Sequence, residues 1–435
     1  GHAVLAELWL GGNEIGDEGA AALASALRVN GVLTTLRLSG DPRDSSYGGI
    51  GPEGASAIAE ALKVNGILTN LNLSWTDIGD EGATALASAL RVNGVLTDLN
   101  LGHNKFGPEG AKAIGKALAA NAVLKNLDLG ENEIGDEGAK AIGGALAVNE
   151  VLTSLDVSYN SLTEEAALGI VRVERQRNKL TSLGLGRCSI GPTGAAEIAE
   201  YVSGSGVLTN LVLPQNNIGA EGAAAIAEAL RGNGVLKTLN LRYNKIGSEG
   251  AAAIAEALRG NGVLTDLDLY GNNIRDEGAA AIAEALRGNG VLTSLEVGFN
   301  SLTEESALGI VRVERQRNKL TSLGLGDCSI GPTGAAGIAE YVSGSGVLTT
   351  LNLGRNKIGD EGGVAIAEAL RVNGVLKSLN LRLNVIRDEG AAAIADALAV
   401  NEVLKHIDLR FNSLGDGGKG VIRDAASGRV GFELK

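Results

Sequence analysis

Three histidines, two cysteines and a column of acids are the residues of this chain best able to do chemistry. His103 and His406 are far apart in sequence, and neither has a Ser or Cys partner at a recognisable motif. His2, beside an initial Gly in place of Met, reads as a cloning remnant with natural sequence upstream. No zinc spacing and no G-x-x-x-x-G-K-[ST] phosphate loop occurs. Cys188 and Cys328 have no His nearby in sequence and read as buried structural residues. Asp98, Asp128, Glu131 and Asp156 line up on adjacent expected strands. They read as a solvated acidic wall, because calcium generally needs more converging oxygens; binding of a cation is the other reading. These residues predict no enzymatic activity, no metal and no cofactor.

The elements that position these residues follow from composition and period. The chain has 435 residues, 64 of them Gly and only 3% aromatic, with no linker-like stretch, so one elongated array fits better than several globules. A net charge of −13 disfavours nucleic acid and suits solubility and basic partners. Two cysteines in this length exclude a disulfide framework and suit a reducing, cytoplasmic location. No long apolar run predicts a membrane span. The sequon at Asn72-Leu73-Ser74 falls inside an expected strand and reads as chance.

The motif V-L-T-x-L-x-L-x-x-N-x-I-G starts fifteen units, from Val4 to Val403, spaced by 28 residues except for the second, which carries seven more. Leu211 and Leu213 alternate with polar neighbours, a strand period; Ile226 and Leu230 sit four apart, a helix period. Pro52, Pro108, Pro192 and Pro332 suit the first helical position, acids such as Asp17 suit its dipole, and Asn-Gly stops the helix. The recurring Asn, as at Asn104, Asn132 and Asn160, predicts a hydrogen-bonded ladder between successive turns, with Asp41, Thr76, Cys188 and Cys328 as substitutes.

From Ser161 to Thr209 and from Ser301 to Thr349 the chain repeats itself with three differences: Ala166 against Ser306, Arg187 against Asp327, and Glu197 against Gly337. This predicts a duplication of about 140 residues, five whole units. In both copies an acid, Glu174 or Glu314, falls where Leu is expected. The expected remedy is a shifted or rotated helix with Leu168 and Val171 inward. Arg172, Arg175 and Arg177, like Arg312, Arg315 and Arg317, then form basic spots, read as a solvated face or an outer docking spot.

The pattern LTxLNLxxNxIGDEGAAAIAEALRxNGVL resembles the leucine-rich repeat of the ribonuclease-inhibitor type. LNLRYNKIGSEGAAAIAEALRGNG, from Leu239, is similar to NOD-like receptor repeats. The resemblance implies an α/β solenoid, a horseshoe of about 15 repeats with a parallel sheet on the concave face and helices on the convex face. Residues 1–435 then form a single domain: a first repeat at 4–31, the repeat with the insertion at 32–66, regular repeats over 67–402, and a last repeat with a C-terminal cap at 403–435. The resemblance implies a non-enzymatic scaffold with a protein partner on the concave face, and the sensing region of an innate-immune receptor as one form of it. A GTPase activator of the Ran type or a structural spacer are the alternatives.

On the concave face, scarce rings gather in columns: Trp9, Trp75, Tyr159, Tyr243, Tyr270, Phe299 and Phe411. Aromatics and Arg are the usual interface anchors, although rings at strand ends also cover neighbouring backbone. One expected patch is Arg242, Tyr243, Asp266, Asp268, Tyr270, Glu296 and Phe299. A smaller one is Trp75 and His103, and Arg187 joins the same face. Gly184, Gly186, Gly324 and Gly326 leave gaps there. The insertion around Asp41–Gly49 reads as a surface loop, with partner contact as the other reading. Val430, Phe432 and Leu434 alternate as a closing strand.

Overall fold

A computed structural model describes residues 5–40 and 49–435. His2, Asp41 and the candidate loop Asp41–Gly49, except Gly49, lie outside the described residues. The chain packs as two compact units, Gly1–Asn216 and Asn217–Lys435.

The first unit holds β1 (Glu7–Trp9), α1 (Gly16–Leu27), β2 (Thr35–Arg37), α2 (Pro52–Leu62), β3 (Asn70–Asn72), α3 (Gly79–Leu90), β4 (Asp98–Asn100), α4 (Pro108–Leu118), β5 (Asn126–Asp128), α5 (Gly135–Leu146), β6 (Ser154–Asp156), α6 (Glu164–Arg177), β7 (Ser182–Gly184), α7 (Pro192–Gly204) and β8 (Asn210–Val212). The second holds α8 (Gly219–Gly232), β9 (Thr238–Asn240), α9 (Gly247–Gly260), β10 (Asp266–Asp268), α10 (Arg275–Gly288), β11 (Ser294–Glu296), α11 (Glu304–Arg317), β12 (Ser322–Gly324), α12 (Pro332–Gly344), β13 (Thr350–Asn352), α13 (Gly359–Val372), β14 (Ser378–Asn380), α14 (Asp388–Val400), β15 (His406–Asp408), α15 (Asp416–Ala426) and β16 (Glu433–Leu434). In each unit the strands pair in parallel and in chain order, residue against equivalent residue, as in Leu99 with Leu127 and Leu267 with Leu295.

The alternation in each strand sorts core from surface. Leu211 and Leu213 are buried between sheet and helices, while Asn210 and Val212 lie on the other face, part-exposed. The Asn ladder is present. Asn104 donates to Leu73 O at 2.7 Å and Leu101 O at 3.0 Å, and its backbone N–H donates to Asn132 Oδ1 at 2.9 Å. Thr76 substitutes by donating its hydroxyl to Leu73 O and Asn104 Oδ1. Cys188 and Cys328 occupy the same position as buried, free thiols; burial pushes the Cys188 thiol up to about 12.

A second ladder runs along the helix ends, where the sequence pattern reads only a stop signal. Asn93 donates to Leu62 O at 2.7 Å, 31 residues back, and its Oδ1 accepts from Val95 and Leu96 N–H. Asn121, Asn149, Asn261, Asn289, Asn373 and Asn401 repeat this arrangement. At the equivalent position the duplicated repeats carry Arg177 and Arg317. Arg177 donates from Nε to Asn149 O at 2.5 Å and from a terminal nitrogen to Leu152 O at 2.5 Å. The acceptor half of the missing Asn comes from Glu174, whose Oε2 takes the Lys179 and Leu180 N–H groups. Its other oxygen lies 2.6 Å from the Arg177 guanidinium. A neutral amide has thus been divided between two opposite charges.

This corrects the expected remedy for the acid in the Leu slot. Leu168 and Val171 are buried, but the helix keeps the ordinary register, and Glu174 itself is fully buried. The basic spots are neutralised as well. Arg172 pairs with Glu165 and Glu197, Arg175 with Glu200, Arg312 with Glu305, and Arg315 with Glu340. Arg177 and Arg317 are buried with Glu174 and Glu314.

The first-turn acids also act differently from expectation: several cap the next helix. Asp17 Oδ1 accepts from Gly51 and Gly54 N–H, and Asp80 Oδ1 from Gly107 and Gly110 N–H at 2.8 and 2.7 Å. Helices therefore begin in two ways. Some start at a left-handed Gly, as at Gly79 and Gly135, whose N–H bonds the ladder Asn carbonyl of the next repeat. Others start from extended backbone, as at Gly107 and Thr163, and take their acceptor from the preceding helix. Helices before extended starts carry Asp or Glu at the capping position, including Asp136, Glu164, Asp276, Glu304, Asp360 and Asp388. Ala220 and Ser248 stand there before the left-handed starts at Gly247 and Arg275. Asp80→Ala is expected to cost about 1–2 kcal/mol in urea denaturation, the loss of an N-cap acceptor, and Asp80→Asn much less. Equal losses for the two would remove the capping account.

At the C-terminus β16 pairs with β15 as a closing strand of two residues. It is shorter than the expected alternation: Val430 is 95% exposed, and Phe432 lies under the Arg429 guanidinium at 4.2 Å. Arg429 closes the helix-end ladder by donating to Leu398, Asn401 and Leu404 carbonyls.

Candidate functional site

The residue before each ladder Asn sits where the chain turns sharply out of its strand. Twelve non-glycine residues at this position, from Trp75 to Phe411, have left-handed backbone with φ between 51° and 59°. That conformation costs an L-residue about 1–2 kcal/mol, which Gly would avoid. The backbone N–H is used in the turn, as in Tyr243 to Tyr270 O and Phe299 to Gly326 O. The side chain is left at the rim of the sheet face. Rings at these positions are therefore held against a local backbone preference, a signal that residue type alone did not reveal.

In the second unit the rings meet. Tyr243 and Tyr270 pack edge to face at 5.4 Å, and Tyr270 and Phe299 stack at 5.7 Å and 11°. Tyr243 is 38% exposed and Phe299 41% exposed. The Arg242 guanidinium lies 4.2 Å from the centre of Tyr270 and 3.3 Å from Asp268 Oδ2. Burial raises the Asp268 carboxyl above the usual carboxylate range, against the opposing pull of Arg242. Gly271, at φ 72°, is required here, because a Cβ would run into the Tyr243 ring. Arg355 approaches the outer side of Phe299 at 5.8 Å.

Two residues expected in this patch point elsewhere. The Glu296 carboxylate folds over Gly324, where a Cβ would collide with it, accepts the Gly298 N–H at 2.8 Å, and lies 3.5 Å from the Asn352 amide. It fills the gap that Gly324 was expected to leave, as Asp156 does at Gly184. Asp266 is half-buried, with its carboxyl raised by burial and hydrogen-bonded to Ser294.

In the first unit Trp75 and His103 stack at 3.5 Å and 19°, and His103 Nε2 lies 3.0 Å from Glu131 Oε1. Burial lowers the His103 pKa. Arg187 is exposed and lines a separate open groove of about 340 Å³ with Tyr159 and Ser189. The acids expected to form a solvated wall border two cavities of about 410 and 310 Å³, which share Asn100, Asp128, Asp156 and Val212. Among the described residues no group of three or more His, Cys, Asp or Glu could hold a metal ion, and no helix is long and apolar enough to cross a membrane.

A family model described as a leucine-rich repeat matches residues 4–24, 67–87, 92–115, 120–143, 148–171, 177–199, 207–227, 232–255, 260–283, 317–339, 347–367, 372–395 and 400–418, more than half of the chain. The chain belongs to the leucine-rich repeat family. No curated protein matches it. Among solved structures, a chain in the crystal structure of the Rad7 and Elc1 complex in yeast is similar over 88% of this chain and 92% of its own. Its identity is 17% and its TM-score 0.54, a likeness of fold. The leiomodin-1 actin-binding site 2 covers 29% of this chain and 72% of its own at 26% identity, with a TM-score of only 0.27. Leucine-rich repeat proteins are generally protein-interaction scaffolds. In this one, the rings of the sheet face and its rim take no part in either Asn ladder.

Proposed function

We propose that this leucine-rich repeat chain is a non-enzymatic scaffold that takes a protein partner on its sheet face, anchored at Tyr243, Tyr270, Phe299 and Arg242. One observation carries the reading: Tyr243, Tyr270 and Phe299 cluster, part-exposed, and Tyr243 and Phe299 occupy rim positions whose left-handed backbone would favour glycine. Buried aromatic and Arg anchors commonly dominate interface energetics. The stretch LNLRYNKIGSEGAAAIAEALRGNG supports repeats of the ribonuclease-inhibitor type and, with the low cysteine content, a cytoplasmic sensing region like that of a NOD-like receptor.

The test uses the backbone preference. Tyr243→Gly with Phe299→Gly removes two rings and relieves two left-handed residues, so the urea midpoint should hold or rise. Capture of the native partner should fall by at least a hundredfold. Val92→Ser, on the helix side and 64% exposed, is the control. Undiminished capture by the double variant would exclude this anchor.

A further inference from the structure

The internal duplication supplies a comparison within the chain. Positions 140 residues apart are equivalent, so β4, β5 and β6 correspond to β9, β10 and β11. The carboxylates are kept: Asp128 and Asp156 correspond to Asp268 and Glu296. Their surroundings are not. In the second unit Arg242 lies 3.3 Å from Asp268 and 4.2 Å from the Tyr270 ring. In the first unit Gly102 replaces that Arg and Gly130 replaces that Tyr. A cavity of about 310 Å³ lies there, lined by Gly102, Gly130, Asp128 and Asp156, with Trp75 and Tyr159 among its walls.

From this juxtaposition we infer that the first unit's sheet face receives an arginine side chain from an extended basic segment of a protein partner, held between Asp128 and Asp156. The partner's guanidinium takes the role that Arg242 plays internally in the second unit. This deepens the scaffold reading and rests on it, at a different place on the chain.

Three observations and one chemical preference support the occupant. Among the described residues neither Asp128 nor Asp156 has an ion-pair partner, whereas Asp268 has one. Burial first, and then the charge of Asp156, push the Asp128 carboxyl up to about 6, as expected for an acid that lacks a cation. A guanidinium can donate to a carboxylate while its flat face stacks on a ring, which an ammonium does less well. The site continues into the cavity of about 410 Å³, lined by the amides of Asn70, Asn126 and Asn210, which could meet the polar backbone of an extended segment.

The experiment is isothermal titration of the whole chain with the peptide acetyl-(Gly-Ser-Arg)3-amide, alongside its citrulline counterpart, which keeps the shape and lacks the charge. Wild-type protein should bind the arginine peptide, and bind the citrulline peptide at least tenfold more weakly. Gly102→Arg places the internal occupant in the first unit and should weaken peptide binding at least tenfold. A Cβ at Gly102 meets its nearest neighbours at 3.3 Å, a tight fit, so folding is checked by circular dichroism. Asp128→Asn is the second variant and should lose binding to the same degree. Glu228→Gln, an exposed acid on α8, controls for attraction to the net negative charge and should bind like wild type. No binding to wild type, equal binding of the citrulline peptide, or undiminished binding by Asp128→Asn would each overturn the proposal, as would a loss in Glu228→Gln equal to that in Asp128→Asn. None of these readouts involves Tyr243 or Phe299, so failure here is distinguishable from failure of the second-unit anchor.

Discussion

Arg177→Ala is expected to destabilise the first unit by about 3–5 kcal/mol, among the largest effects of any single substitution in the chain. Two losses coincide. Glu174, fully buried, is left without its counter-charge. The Asn149 and Leu152 carbonyls lose their donor. The residual carboxylate keeps only the Lys179 and Leu180 N–H groups. Glu174→Leu alone should also be costly, since it buries an unpaired guanidinium. The double variant Glu174→Leu with Arg177→Asn restores the residues of a regular repeat. It should match wild type or exceed it by up to about 4 kcal/mol, because exchanging a buried ion pair for a well-packed apolar group is often neutral or favourable. Urea denaturation of the three variants gives the comparison. A loss below about 1 kcal/mol in Arg177→Ala would show that water reaches the pair and that the divided-amide description is wrong.

Asp128→Asn should act in the opposite direction and raise stability at neutral pH. The Asp128 carboxyl titrates at about 6 in the folded chain, against an ordinary value of 3.8. A raised folded pKa means that the native state binds the proton more tightly. The stabilising contribution is complete below about pH 4 and is lost as pH rises through about 6. At pH 7.5 the ionised group therefore carries a penalty of roughly 2–3 kcal/mol, at 1.36 kcal/mol per unit. Asparagine removes the charge and can still accept the Gly130 N–H through its carbonyl oxygen. Urea midpoints should diverge in favour of Asp128→Asn at pH 7.5 and converge at pH 4. A variant that is less stable at pH 7.5 would mean that the carboxylate is held by more than the Gly130 N–H and the Asn100 side chain, the two groups that hydrogen-bond it. Retaining a residue that weakens the fold fits a position kept for binding.

The repeat, its strand and helix periods and the first Asn ladder were legible because each is a one-residue signal repeated many times. The second ladder was hidden by a plausible alternative: Asn before Gly is also a helix stop, and only the distances show that Asn93 reaches back to Leu62. The buried Glu174 was misread for a related reason. A charge in a Leu slot suggests a displaced helix unless its partner is known, and Arg177 looked like a surface residue. At the candidate site, sequence columns brought Tyr243, Tyr270 and Phe299 together because the rim position and the one before it both recur at the repeat spacing. They could not show that Glu296 turns aside to cover Gly324 or that Arg242 lies on Tyr270, since both depend on side-chain direction. The acids at Asp128 and Asp156 were seen but read as a wall, because the two glycines that open the space beside them lie in neighbouring turns.

The two ways of starting a helix limit how the array can be edited. A segment that opens with extended backbone needs an acid in the segment before it, so the two behave as a mated pair, and a seam between them leaves amide hydrogens without an acceptor. Seams before a left-handed start carry no such debt. The internal repeat keeps acceptors and donors together: Asp136 with Thr163 and Glu164 with Gly191 reappear as Asp276 with Thr303 and Glu304 with Gly331. Shortened or lengthened versions of this chain should tolerate splices ahead of Gly79, Gly135 or Gly247 and resist those ahead of Pro108, Thr163 or Pro192.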